Sequence, residues 1–362
     1  MDWKYLLLFP LLFFGCQTEK EAQDPLEVRI DYQNAKVKPF EDLLRERPVQ
    51  EEYVLLRSKS SETDFSKPKK ILVQDNRIFI LDSARPTKLV VFSRDGEGLA
   101  QVGTRGEGPQ EYLSIADFDV ADDGKIYFID GQSDKLFCFN EDFSFAYTKE
   151  LPFEADILKA VSGGFLFGLS SWNTGECEGT KIVRTDGNLN VQERFLKYDE
   201  YTDPAFWISG YTFIRTRDGI VYNQTIDNHI YQFDPEGNYK GSVNMDFGSR
   251  NVPDEAKKEI ESKLRDYEEY DLLKNYVAVT DNYIIGALWK SRKTVPFVYD
   301  RRTNTSYLCA EQEEYASPAL IGYSDTLSIA YYEPTMDISM LPDSVQNFLD
   351  KEDFVLCIRN IY

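Results

Sequence analysis

A short polar or glycine turn followed by a β-rich run recurs six times along the chain, and no other feature constrains the fold as tightly. The instances are Asp75-Asn76 before RIFILD, Asp123-Gly124 before KIYFID, Gly163-Gly164 before FLFGL, Asp218-Gly219 before IVYNQ, Asp281-Asn282 before YIIGALW and Ser324-Asp325 before TLSIAYY. Asp, Asn and Gly tolerate the positive φ of tight hairpins, so each pair reads as a turn between two antiparallel strands. Successive turns are 48, 40, 55, 63 and 43 residues apart, near the one-blade period of a β-propeller.

A second set of turns follows in phase. Val90-Val91-Phe92 leads to Asp95-Gly96, Lys181-Ile182-Val183 to Asp186-Gly187, Tyr231-Gln232-Phe233 to Glu236-Gly237, and Phe297-Val298-Tyr299 to Arg301-Arg302-Thr303-Asn304. Blade one then reads as four strands, Ile71–Val73, Arg77–Leu81, Lys88–Phe92 and Leu99–Val102. The repeat predicts an all-β chain: a six-bladed β-propeller of four-stranded antiparallel blades, whose radial closure leaves few exposed sheet edges. The sixth repeat offers Ala319–Gly322, Thr326–Tyr332 and Phe354–Tyr362. An N-terminal segment, Glu52–Arg57 or Glu27–Asp31, is expected to complete that blade.

One stretch departs from the rhythm. From Pro253 to about Asn275, Ala256, Ile260, Leu264 and Tyr267 fall at helical spacing among dense charge, which predicts a helical insertion between blades four and five. Proline near its start suits a first helical turn. Such a helix can cover apolar sheet surface or serve as a docking face.

The N-terminus reads as an address. Lys4 precedes an apolar run, Tyr5 to Phe14, that ends at Gly15-Cys16. The run is too short to span a bilayer, which takes about 20 apolar residues, and has the size of a signal-peptide core. A cysteine directly after Phe13-Phe14-Gly15 resembles the bacterial lipoprotein signal, in which cleavage leaves Cys16 to carry the lipid. The expected organisation is a signal peptide over 1–15, a polar, acidic tether over 16–25 and the propeller over 26–362. The lipid would hold the chain at the outer membrane, facing the periplasm or the cell surface.

Composition narrows the function. Sixty-two acidic against 41 basic side chains give a net charge of −21, which excludes nucleic-acid binding through a basic face. One histidine excludes a His-rich metal centre, and no cofactor is expected. Beyond Cys16 the cysteines are Cys138, Cys177, Cys309 and Cys357. With no CxxC pair, zinc-ribbon and thioredoxin-like readings fail. Cys138 and Cys357 lie in apolar runs that suit buried thiols, while disulfides stay open in an extracytoplasmic setting.

From Arg94 to Phe139 the chain reads RDGEGLAQVGTRGEGPQEYLSIADFDVADDGKIYFIDGQSDKLFCF. This resembles the NHL repeat: G-x-x-G-x-G-P-x-E-[FY], a hydrophobic strand, D-G, and an apolar strand ending in D. With the lipoprotein-like start, the chain resembles the six-bladed, NHL-like propeller lipoproteins of Gram-negative gut bacteria. The resemblance implies a ligand-binding or protein-scaffold module at the cell envelope. Enzymatic six-bladed relatives, lactonases and lyases, hold a central metal with acids and histidines.

Few residues offer chemistry. Gly103-Thr-Arg-Gly106-Glu-Gly108-Pro109 lacks the Lys-Ser/Thr and the helix of a phosphate loop and reads as a tight blade-to-blade crossover. Arg105 and Glu107 in it can line a propeller face, and Glu111 is expected to bond backbone locally. Asp117, Asp119, Asp122 and Asp123 do not match the EF-hand ligand series and read as hairpin acids. His229 opens a strand, where an imidazole can act as a base or simply pack. Trp172 and Trp207 sit in loop-like sequence where an indole can stack on a sugar, and Trp289 ends a strand as a core residue. Asp82-Ser-Ala84, Asp325-Thr-Leu327 and Asp343-Ser-Val345 resemble an O-glycosylation sequon.

These residues support a lipid-anchored envelope propeller that binds a carbohydrate, peptide or envelope protein. The candidate ligand contacts are Trp172, Trp207, Arg105, Glu107 and His229. The alternative is an envelope hydrolase or lyase with a metal or acid cluster at the central funnel.

Overall fold

The computed structural model describes residues 26–29, 36–38, 51–202, 208, 213–224, 227–257, 269–274, 277–290, 293–309, 319–324, 327–334, 336, 338–339, 341–349 and 354–360. Cys16, Trp207 and Asp325 of the Ser324-Asp325 turn lie outside them.

Hairpins with positive-φ turn residues, among them Asp75 at 49°, Asn76 at 59° and Gly124 at 79°, join strands in sequence order into six sheets. Blade one is Pro68–Gln74, Arg77–Asp82, Lys88–Ser93 and Gly98–Val102. Blade two is Ile115–Val120, Ile126–Asp130, Lys135–Phe139 and Phe145–Glu150. Blade three is Ala155–Val161, Gly164–Leu169, Thr180–Asp186 and Val191–Lys197. Blade four is Ile214–Thr216, Gly219–Asn223, His229–Phe233 and Tyr239–Asp246. In blade five, Asp271–Leu273 and Ala278–Val279 share one edge of Tyr283–Lys290, followed by Lys293–Asp300 and Thr305–Cys309.

Blade six takes Ala319–Ser324, Leu327–Tyr332 and Val355–Asn360 from the C-terminal part of the chain, and its outer strand, Glu51–Leu55, from the N-terminal part. Of the two expected closing segments, the later one closes the ring. The earlier one, as Leu26–Arg29, instead adds a fifth, parallel strand to blade four, with Leu26 opposite Val243. Lys36–Lys38 does the same on blade five. The described N-terminal strands thus sit, in chain order, at the outer edges of blades four, five and six.

First strands meet between blades one and two, two and three, four and five, and six and one, and those of blades four and six meet across the ring, so the first strands line the axis. The apolar clusters lie between blades. One joins Leu72 and Phe79 of blade one to Phe118 and Phe128 of blade two, and comparable clusters join blades two and three, three and four, four and five, and six and one. Each buried aromatic or aliphatic side chain there stabilises the ring by about 1.5–3 kcal/mol. The aspartates that end the second strands of blades one and two act as clamps. Asp82 accepts bonds from the Ser66, Lys67 and Ala84 amides, and Asp130 accepts from the Leu113, Ser114 and Gln132 amides and the Ser133 hydroxyl. Each ties the incoming crossover to the blade's own turn, which explains the strand-ending Asp of the repeat.

The helical insertion needs correcting at its C-terminal end. Pro253 precedes a 3-10 turn, Asp254–Ala256, but Asp271–Leu273 is already strand, so the predicted span to Asn275 overruns. Residues 258–268 lie outside the described ones. A short helix of blade six, Asp343–Leu349, buries Val345 and Leu349 against Tyr332, Val355 and Cys357. Cys138, Cys177 and Cys357 are buried free thiols.

Candidate functional site

The topology places the hairpins between first and second strands at one end of the axis. At that end a cavity of about 500 Å³ opens among blades two, three and four. Tyr127 and Tyr147 of blade two, Lys159 and the Gly163 turn of blade three, and Arg215 of blade four line it. Tyr127 packs edge-on against Phe165 at 4.9 Å, an aromatic floor across the blade two–three boundary. Burial, then a hydrogen bond with Tyr147, push the Tyr127 hydroxyl well above the ordinary tyrosine value, so it stays protonated.

The walls are held by ion pairs between blades. The Arg215 guanidinium meets the Asp122 carboxylate, blade four to blade two. Deeper, the Lys159 ammonium donates to Asp119 at 2.9 Å, and the second Asp119 oxygen accepts the Ala160 amide at 2.8 Å. One strand over, Lys70 donates to Asp117 at 3.0 Å and to the Phe118 carbonyl at 2.6 Å, while Asp117 accepts the Leu158 amide at 3.0 Å. All four of these deeper side chains are buried. Breaking such a pair from one side typically costs about 3–5 kcal/mol, because the other charge is left stranded. The acids considered for calcium are therefore engaged by lysines, an arginine and backbone amides. Asp117 and Asp119 belong to an axial strand, not to a hairpin turn. Among the described residues no group of three or more His, Cys, Asp or Glu is arranged to hold a metal ion.

The residues singled out from sequence lie elsewhere. Blade-to-blade crossovers and second-to-third-strand turns gather at the opposite end of the axis, and Arg105, Glu107, Trp172 and His229 all belong to that end. Arg105 and Glu107 are exposed on the crossover between blades one and two. The Arg105 Nε donates to the Leu113 carbonyl at 3.2 Å. Glu111 holds the loop as expected, accepting the Gly108 amide at 2.8 Å. A Cβ on Gly106 would fall 2.0 Å from that carboxylate, so a side chain there would push Glu111 out of its bond to the loop. Trp172 is 37% exposed, and its indole N–H donates to Glu154. Beside it, burial raises the Asp156 carboxyl to about 6 despite bonds from the Ile208 amide and the Ser170 hydroxyl.

His229 forms a cluster of its own at the blade three–four boundary. Its Nδ1 lies 2.9 Å from Asp227 Oδ1 and 2.7 Å from the Asp227 carbonyl, and its ring stacks on Tyr231 at 5.7 Å. The Tyr231 hydroxyl donates to the same carboxylate at 2.5 Å, and Lys181 sits 3.4 Å away. Burial acts to raise the Asp227 carboxyl, but Lys181 and His229 together hold it well below the usual range. Burial likewise acts to lower the imidazole, and Asp227 outweighs it and raises it. Trp289 is half-buried, packed against Val252 and Leu272 at the margin of the core rather than within it. In Asp82-Ser-Ala84 the Ser83 hydroxyl is bonded to the Lys67 carbonyl at 3.0 Å, whereas Ser344 is exposed.

The structure thus does not bring the sequence-predicted contacts into one site, and sequence reasoning missed the cavity. The signal was present in the phase of the repeat. Asp122-Asp123-Gly124, Ser162-Gly163-Gly164 and Arg217-Asp218-Gly219 occupy equivalent turns, so a ring must collect them at one mouth.

Six four-stranded blades closed by an N-terminal strand, with a cavity among the hairpins of blades two, three and four, define a six-bladed β-propeller. The chain belongs to the family of the domain of unknown function DUF4934, whose profile matches residues 62–352. No curated protein matches it. Among solved structures, an exported protein of Bacteroides fragilis aligns at 19% identity with a TM-score of 0.74, over 93% of this chain and 99% of that one. That likeness shows the fold. A member of the DUF4221 family from Bacteroides vulgatus aligns at 7% identity and a TM-score of 0.49, over 86% of this chain and 96% of the other. Virginiamycin B lyase from Staphylococcus aureus aligns at 11% and 0.43, over 87% and 100%. Both are too remote to inform this chain.

Proposed function

We propose that the protein is a cell-envelope binding module of the NHL-like lipoprotein type, held at the outer membrane by lipid on Cys16, and that it takes its ligand in the cavity at the hairpin end of the axis. The observation that carries this reading is the cavity itself: about 500 Å³, within the range of roughly 300–1,000 Å³ usual for small-ligand sites. Its wall is fixed before any ligand arrives by the buried Lys159–Asp119 pair, with Arg215 and Asp122 paired at the surface above it. A wall already ordered loses little entropy on binding. The envelope hydrolase or lyase alternative needs converging acids at the funnel. The axial acids of blade two, Asp117 and Asp119, are instead neutralised by lysines.

Two measurements test the proposal. Radiolabelled palmitate should enter the wild-type chain in a Gram-negative host, and labelling that persists in Cys16→Ser would sink the anchor. For the binding role, a low-molecular-mass extract of the host's growth medium should raise the melting temperature of the wild type and not that of Gly187→Trp. Gly187 lines the cavity, and a Cβ there would meet nothing closer than the Gly163 carbonyl at 3.8 Å. The backbone there accepts a Cβ, and the indole carried on it narrows the cavity; an unchanged melting temperature of the free variant is the control for its fold. Equal stabilisation of both proteins, or of neither, removes the cavity as the binding site.

A further inference from the structure

We propose that the cavity's ligand is a neutral oligosaccharide, an inference that rests on the binding role and specifies its chemistry. The first argument is charge. Three acids (Asp122, Asp123 and Glu236) and three bases (Lys159, Arg215 and Arg217) line the cavity. Most are already neutralised in the protein: Arg215 by Asp122, Lys159 by Asp119, and Asp123 by Lys125. The exposed Arg217 and Glu236 remain, one of each sign. The wall offers no net charge to repay the desolvation of an ionic ligand. An anion would also enter against the field of a chain at −21. A hydroxyl suits such a wall, because it donates to a carboxylate and accepts from a guanidinium in the same contact.

The second argument is shape. Tyr147, partly exposed, gives one side of the cavity an aromatic ring backed by the buried Tyr127 and Phe165, and the C–H face of a sugar can pack on such a ring. The turn side is bare backbone. A Cβ on Gly163 would meet nothing within 4 Å, and Gly187 has an ordinary φ and open space, so neither packing nor backbone demands a glycine at Gly187. Its missing side chain keeps the cavity open to a bulky, rigid ligand.

The third argument separates sugar from peptide. A bound peptide gains most from adding its main chain to an unpaired strand edge. Here the rim is made of closed hairpin turns whose amides are already bonded, as in Ala121 to the Lys125 carbonyl at 2.9 Å and Gly124 to the Ala121 carbonyl at 3.0 Å. Of the sheet-edge strands that line the cavity, the one from blade three has its Leu158 and Ala160 amides already taken by Asp117 and Asp119, so a peptide added there would leave its own carbonyls unmatched.

The test is calorimetric titration of the detergent-solubilised full chain with neutral trisaccharides (maltotriose, cellotriose, xylotriose and N,N′,N″-triacetylchitotriose). Trigalacturonic acid, the deacetylated chitosan trimer and a capped alanine tripeptide serve as the anionic, cationic and peptide comparisons. At least one neutral trisaccharide should bind with a Kd below about 1 mM, tenfold or more tighter than any comparison probe. Gly187→Trp and the exposed-site variant Arg217→Ala should each weaken it at least tenfold with the melting temperature of the free protein unchanged. Binding confined to a charged probe or the tripeptide overturns the sugar assignment, as does silence of every neutral probe or an affinity indifferent to both variants. If the growth-medium extract still stabilises the wild type and not Gly187→Trp, the binding role survives that failure. If the extract acts on neither, the role falls with it.

Discussion

His229 is the chain's one histidine, and its cluster gives the molecule a single, separately observable titration. The Asp227 carboxylate holds the imidazole above its ordinary value against the opposing effect of burial, while Lys181 and His229 hold Asp227 below its own. A histidine raised in the native state contributes stability that is fully present below the unfolded value of about 6.5 and is lost as pH rises through the native midpoint. An aspartate lowered in the native state contributes above its unfolded value of about 3.9 and loses that contribution as pH falls through the native one. The pair therefore stabilises most between about pH 4 and about 6.5, and the histidine's share fades from there through its raised midpoint. In proton NMR the single Hε1 resonance should titrate above about pH 6.5 in the wild type and move down by at least half a unit in Asp227→Asn. A wild-type midpoint at or below the ordinary value would show that burial dominates. From sequence, His229 reads as a strand-edge residue or a base, and its partner two positions earlier goes unnoticed. Sequence shows proximity along a strand but not the Lys181 of the next blade that completes the cluster.

At the scale of the element, legibility followed the source of each strand's stability. Strands buried on both faces, such as RIFILD and KIYFID, announce themselves by β-branched and aromatic runs between positive-φ turns, and their bounds were read to within a residue or so. The first strand of blade one was read as Ile71–Val73 yet runs Pro68–Gln74. Its missing half carries Lys69 and Lys70, which look like solvent-facing residues. Lys69 instead donates to the Ala116 carbonyl at 2.7 Å and Lys70 to Asp117. Charges at the axis are satisfied by the neighbouring blade, about 47 residues away, so no local pattern shows them. The same blindness let helical spacing run on into Asp271–Leu273. Asp271 is wholly buried, with Arg250 Nε 2.9 Å from its carboxylate, but in the sequence it is one more charge in a charged stretch. The cavity escaped for a related reason: its residues come from turns of three blades and meet only because the ring closes.

Closure is the property of the whole molecule, and it depends on one five-residue strand. Glu51–Leu55 pairs with Val355–Asn360 in the register Val54 to Leu356, burying Val54 in the cluster that joins blades six and one. Arg359 donates to Glu51 at 2.8 Å, and Arg94 of blade one grips Glu52 through two bonds. The chain then continues onto blade one, where the Arg57 amide donates to the Gly96 carbonyl at 2.7 Å and the Gly98 amide to the Arg57 carbonyl at 3.0 Å. Gly96, at φ 86°, cannot be replaced, since a Cβ would stand 2.1 Å from the Leu55 carbonyl oxygen. The strands before it, Leu26–Arg29 and Lys36–Lys38, add parallel edges to blades that already have four strands and bury Val28 in the cluster between blades four and five, away from the closing seam. The two parts of the N-terminal chain should therefore differ sharply in what they contribute. Deleting residues 1–50 leaves every blade with its four strands, and the melting temperature should fall by no more than a few degrees. Deleting residues 1–57 also removes Val54 and Leu56, each buried and worth about 1.5–3 kcal/mol, together with a full strand ladder. That approaches the total stability of roughly 5–15 kcal/mol of a typical domain and exposes the edge of Val355–Asn360 to aggregation. The longer deletion should lose its cooperative transition in calorimetry and gain dye-accessible apolar surface. If it instead melts cooperatively within a few degrees of the shorter one, the ring holds without its closing strand, and inter-blade packing alone must be sufficient.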